Sequence, residues 1–122
     1  MGSSSSSKST TIIFDTRTHE EYCAGHICHS VHIPTRLPTG HPGIDYKTYS
    51  KMCKQLKAYL QTHQPSKKAR IAVYCKKGKR AGEAVHCLKG WGYDAFVLGG
   101  VEVDPLKAAM ERGDYPMCQC SG

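Results

Sequence analysis

The sequence predicts a single α/β domain with a small central, mostly parallel sheet flanked by helices. Three observations predict it. The short runs TIIFD, RIAVY and AFVL have strand length and are mainly apolar, and the continuous apolar run of RIAVY suggests burial on both faces, as in a parallel sheet. Segments with apolar residues at helical spacing lie between them. Glycine and proline clusters mark the joints. Strands alternating with helices imply parallel pairing, and 122 residues suit one domain.

The elements follow in chain order. Residues 1–10, within MGSSSSSKSTT, are low in complexity and are expected to form a disordered serine-rich leader. The domain is expected over 11–116, with a cysteine-containing tail at 117–122. Thr11–Asp15 is the first strand. A short helix follows, capped by Thr16 or Thr18, with Glu20 and Glu21 in its first turn and Gly25 at its end. HICHSVHIP reads as one short strand stopped by Pro34, and TRLPTGHPG as loop. From Tyr46 to Leu60, the residues Tyr49, Met52, Cys53, Leu56 and Leu60 form one core-facing helical stripe. RIAVY is the third strand. Arg80 to Lys89 is a helix with Ala84, Val85 and Leu88 facing inward. AFVL is the fourth strand, GGVEVD a turn, and PLKAAMERG a last helix opened by Pro105.

Composition narrows the function. A net charge of +7 and a pI near 9.1 point to anionic partners. Aromatic content is 8% with no stacking motif, which argues against a nucleic-acid partner. No apolar run approaches a membrane span, and no signal peptide is visible. The cysteines are Cys23, Cys28, Cys53, Cys75, Cys87, Cys118 and Cys120. An odd number without a secretory signal argues against a disulfide framework, so a reducing, cytoplasmic location is expected. A periplasmic one is the alternative if a signal peptide has been removed.

One stretch carries chemistry: VYCKKGKRAGEA, from Val73 to Ala84. Cys75 closes an apolar run, and Lys76, Lys77, Lys79 and Arg80 follow as a helix begins. Cations at a helix N-terminus oppose its dipole, each at a cost from a few tenths to about 1 kcal/mol. A chain that accepts this repeatedly is built to hold an anion. A helix start and nearby cations favour thiolate, the nucleophilic form of cysteine. Gly78 lets successive N–H groups turn inward as a nest, with Cys75 at its floor. In parallel sheets ligands bind beyond the C-terminal strand ends. Cys75 lies at one such end, and Asp15 and Arg17 lie near another.

IIFDTRTHEEYCAGHICHSVHIP resembles the opening of a rhodanese-like domain, with its Asp-x-Arg step, Glu-Tyr, Gly-His-Ile and terminal Ile-Pro. IAVYCKKGKRAGEAVHCLKGWGYDAFVLGG resembles the active-site half of that family, including the Gly-Tyr before the last strand and the closing Gly-Gly. The resemblance runs from about Thr11 to Arg112. It implies sulfur transfer through a persulfide on Cys75, from an anionic donor such as thiosulfate to cyanide or a thiol, with no cofactor and no metal. Protein thiols are further acceptors. Cys75 to Arg80 is then the six-residue active-site loop. Lys76, Lys77, Gly78, Lys79 and Arg80 hold the donor, and Asp15 and Arg17 organise the loop ends. The usual strand and helix before the Asp-x-Arg strand are lacking, as in short single-domain rhodaneses of the bacterial phage-shock kind. The sheet edge left less covered admits either a monomer or a homodimer.

Rival readings are weaker. Cysteine-dependent phosphatases and arsenate reductases use Cys-x5-Arg, whereas here the arginine comes one residue early. An anion-binding module without turnover would use the same nest. Cys23, His26, Cys28 and His29, with Cys118 and Cys120, match no standard zinc spacing. His26 is expected to be a structural hydrogen-bonder, Glu21 to pair with Arg17, and Trp91 and Tyr93 to pack. Cys118 and Cys120 read as frayed tail, or as a resolving thiol for Cys75.

Overall fold

The apolar runs pair edge to edge. In the computed structural model, which describes residues 11–35 and 46–120 without the side chains of 46–48, β1 (Thr11–Asp15) lies between β3 (Val31–His32) and β4 (Arg70–Cys75). β5 (Asp94–Gly100) completes the order β3-β1-β4-β5, and every pairing is parallel. The serine-rich leader and most of the TRLPTGHPG loop lie outside the described residues.

Helices cover the sheet as the periodicity requires. α1 (His19–Ala24) starts at Thr18, whose side chain accepts from the Glu21 N–H, while Glu21 reaches back to the Thr18 N–H. This reciprocal cap stabilises the helix by about 1 kcal/mol. α2 (Tyr46–His63) and α3 (Lys79–Gly90) pack on one face. There Met52, Leu56 and Leu60 of α2 and Ala81, Ala84, Val85 and Leu88 of α3 meet Phe14, Ile71 and Val73 of the sheet. Leu56 and Leu88 are fully buried, so truncating either to Ala should cost about 2–5 kcal/mol. The other face is smaller. Tyr74 and Ile27 pack there with Leu106 of α4 (Leu106–Glu111). Side chains alternate along β4, so Cys75 continues the row of Ile71 and Val73 and faces α2 and α3.

The segment HICHSVHIP is not one strand. It splits into β2 (His26–Ile27) and β3, separated by a turn in which His29 takes a left-handed conformation, φ 69°. β2 leaves the main sheet and pairs antiparallel with β6 (Met117–Cys118). The tail is therefore not frayed over 117–120.

Nor does the odd cysteine count exclude a disulfide framework. Six cysteines pair as Cys23–Cys120, Cys28–Cys118 and Cys53–Cys87, leaving Cys75 free. The β2–β6 pairing sets the tail cysteines against α1 and the turn after β2. Cys53 lies on the core-facing stripe of α2, as expected, but that stripe meets α3, so it bonds to Cys87 instead of merely packing. Bridging residues 34 apart removes roughly 3–4 kcal/mol of unfolded-chain entropy. A Cys53→Ala, Cys87→Ala double variant should therefore lose about 2–4 kcal/mol of stability in urea without reductant. An unchanged midpoint would show that the bridge adds nothing.

Candidate active site

The loop after β4 closes on its own cysteine. Gly78 adopts φ 102°, a left-handed conformation open to glycine, and turns the chain back over Cys75. Its N–H donates to Cys75 Sγ at 3.0 Å, and the Ala81 N–H donates to the same sulfur at 3.4 Å. α3 starts directly behind, with the Gly82 N–H donating to the Gly78 carbonyl at 2.9 Å. The sulfur thus sits at a helix N-terminus between backbone donors, a setting suited to a sulfur bearing negative charge. Cys75 is 1% exposed, so only a slender reactant can touch it.

The end of β5 braces this loop from behind. The Val101 N–H donates to the Cys75 carbonyl at 2.9 Å, and the Glu102 N–H to the Lys76 carbonyl at 3.0 Å. Such close approach needs a residue without a side chain. A Cβ on Gly100 would fall 2.5 Å from the Lys76 oxygen and 2.6 Å from the Lys77 backbone. Gly100 belongs to the closing Gly-Gly, but no sequence pattern says which backbone it must admit.

The four loop cations have different surroundings. Lys77 and Lys79 are exposed and in no ion pair among the described residues. Lys76 lies 3.7 Å from Glu102, with both side chains about half exposed, a pair that contributes little. Arg80 is 6% exposed, and its Nη1 donates to Glu21 Oε1 at 3.0 Å. The partner of Glu21 is therefore Arg80 and not Arg17. Arg17 is already engaged: its Nε and Nη2 donate to the Asp15 carboxylate at 2.7–3.0 Å, and Nη2 also donates to the Gly25 carbonyl at 2.7 Å. Burial opposes the Arg17 charge, but the hydrogen bond and charge of Asp15 outweigh it and raise its pKa. Asp15 and Arg17 thus tie the end of β1 to the end of α1. His26 holds the same corner, with Nδ1 donating to the Tyr22 carbonyl at 2.8 Å. Trp91 and Tyr93 pack against the main core.

Glu21 joins the α1 cap to the active-site loop across 59 residues. Burial disfavours its charge, but the Arg80 hydrogen bond, with those to Thr18, holds the carboxyl down at about 2. A carboxyl depressed from 4.5 to about 2 stabilises the fold above pH 4.5, and that stabilisation is lost as the pH falls through 2. The native chain should exceed Glu21→Gln in stability by about 1–3 kcal/mol near neutrality, with the gap closing between about pH 4.5 and 2. Thermal melts of both across that range check it, and a pH-independent gap would contradict it.

Cys118 and Cys120, read as a resolving thiol or frayed tail, are bonded to Cys28 and Cys23 and carry no free thiol in this structure. No helix among the described residues is long and apolar enough to cross a membrane.

Comparison with known proteins agrees with this architecture. The model of the rhodanese-like domain family matches residues 3–103. A solved structure described as a rhodanese with anions from E. coli is 21% identical, covers 91% of this chain and 100% of its own, and superposes with a TM-score of 0.61. A rhodanese-related protein from Thermoplasma volcanium is 24% identical over 88% of this chain and 83% of its own, with a TM-score of 0.57. A rhodanese-like domain protein from Staphylococcus aureus is 24% identical over 78% and 74%, with a TM-score of 0.53. No curated protein sequence matches the chain.

Proposed function

The chain belongs to the rhodanese-like domain family, and from that premise we propose that it is a sulfurtransferase working through a persulfide on Cys75. One observation carries the proposal: the single free cysteine lies under a cationic loop with two backbone N–H groups aimed at its sulfur. The Cys75 thiolate attacks the outer sulfur of thiosulfate. A new S–S bond forms, the old one breaks, and its electron pair leaves with sulfite. An acceptor, either cyanide or a small or protein thiol, then attacks that outer sulfur and returns the electron pair to Cys75. No metal or organic cofactor enters.

Burial of Cys75 favours a donor whose reacting atom projects from its body, as the outer sulfur of thiosulfate does. Lys77 and Lys79 draw in the donor's charge, and Lys76 adds to the field. Arg80 acts through Glu21 to hold the loop against α1. That engagement favours sulfur transfer over phosphatase chemistry, in which arginine must clamp a phosphate. The three disulfides favour a working place where disulfides persist, outside a reducing cytosol.

Steady-state assays of thiocyanate formation test the scheme. Parallel lines in double-reciprocal plots are expected for double displacement. Raising salt from 0.05 to 0.5 M (about a threefold shorter screening length) should raise KM for thiosulfate several-fold while changing kcat less. A salt-independent KM would remove the lysines from donor capture. Absence of thiocyanate would refute the proposal.

A further inference from the structure

Two buried side-chain oxygens lack a hydrogen-bond partner among the described residues: Thr35 Oγ1 and Tyr49 Oη. A buried hydroxyl without a partner costs about 1–3 kcal/mol, so such a group calls for an explanation. The fold places Tyr49 where it has one. α2 and α3 each return the chain between parallel strands, pack on the same sheet face and therefore run in the same direction. The Cys53–Cys87 disulfide fixes their register. One turn before Cys53 is Tyr49, and one turn before Cys87 is Glu83, so these two residues are neighbours. Another turn back along α3 is Arg80, at the lip of the Cys75 loop. Tyr49 packs against the buried cluster to which Cys75, Ala81 and Ala84 belong. Consistent with that placement, burial pushes the Tyr49 phenol up, the charges of Glu83 and Cys75 add to the effect, and Arg80 opposes it. The phenol therefore remains a donor at neutral pH.

Tyr49 Oη does not bond to the resting Cys75 sulfur, which takes its donors from Gly78 and Ala81. A persulfide adds one atom beyond Sγ, about 2 Å further along a side chain that already faces α2 and α3. We propose that Tyr49 is a catalytic residue whose hydroxyl donates a hydrogen bond to the outer, transferred sulfur of the Cys75 persulfide. The bond forms only when sulfur is loaded, and no proton changes hands. It favours the loaded enzyme over the free one and holds the sulfur for the acceptor. This rests on the sulfurtransferase reading above and adds the residue that senses the cargo.

The test compares the native full chain with Tyr49→Phe, disulfides intact. Each is equilibrated with fixed ratios of thiosulfate to sulfite, and the persulfidated fraction is read by intact mass. Phenylalanine keeps the packing and removes only the donor. The loading equilibrium should fall about tenfold or more in Tyr49→Phe, the range for a lost hydrogen bond to a charged group. Alkylation of resting Cys75 by iodoacetamide should stay within twofold, since the hydroxyl makes no hydrogen bond to the unloaded sulfur. Equal loading of both proteins would overturn the role of Tyr49 and leave sulfur transfer standing. Slowing of alkylation as large as the loss of loading would also overturn it, by showing a general disturbance of the loop. No sulfur on the native chain would overturn both readings.

Discussion

Cys75→Ser is expected to take up no sulfur from thiosulfate and to lose sulfur transfer by at least about a thousandfold, with the fold intact. The two effects separate because of how the sulfur is held. The Gly78 and Ala81 N–H groups donate to Sγ at 3.0 and 3.4 Å, and a serine oxygen, though on a shorter bond from Cβ, still presents them with an acceptor. Stability should change by less than about 1 kcal/mol. Cys75→Ala leaves both buried donors without a partner and should cost about 1–3 kcal/mol. Activity therefore falls equally in both variants, while only alanine lowers the melting temperature appreciably. Turnover in Cys75→Ser comparable to the native chain would move the chemistry elsewhere. No other cysteine offers a free thiol, because the remaining six are paired.

Gly100→Ala is expected to be nearly as damaging, although the residue touches no reactant. Its added Cβ would lie 2.5–2.6 Å from backbone atoms of Lys76 and Lys77, and backbone cannot swing aside as a side chain can. Relief requires the loop to move away from β5. That lengthens the Val101–Cys75 and Glu102–Lys76 hydrogen bonds and carries the N–H donors off the sulfur. A displacement on the order of 1 Å at a reacting centre can cost about a hundredfold in rate. Overpacking should add about 1–3 kcal/mol of destabilisation. Gly90→Ala is the control, since a Cβ there meets nothing within 4 Å among the described residues. A Gly100→Ala enzyme as fast as the Gly90→Ala control would mean that β5 does not set the loop geometry.

These two residues also mark what the sequence reveals and what it hides. Cys75 was legible because a thiol, a glycine and four cations at a strand–helix junction have no common structural use. The long strands were legible because TIIFD, RIAVY and AFVL are short, mainly apolar runs, and β4, between two neighbours in the sheet, is buried from Ile71 to Cys75. β2 and β6 were not, because two residues carry no period, and their pairing joins segments about 90 positions apart. The disulfides were hidden for a related reason. Which of seven cysteines stays free depends on helix register and on where the tail returns. Glu21 was assigned to the nearer arginine, Arg17, but Asp15 occupies that guanidinium and leaves Glu21 to Arg80. Tyr49 on an apolar helical stripe reads as packing. Only the structure shows that its hydroxyl is buried without a partner among the described residues.

The central claim, that Cys75 carries transferable sulfur, is tested most directly by intact mass after incubation with thiosulfate, without reductant. The native chain should gain the mass of one sulfur atom and lose it on adding cyanide, while Cys75→Ser gains nothing. Equal gain by both proteins, or no gain by the native chain, would contradict the account.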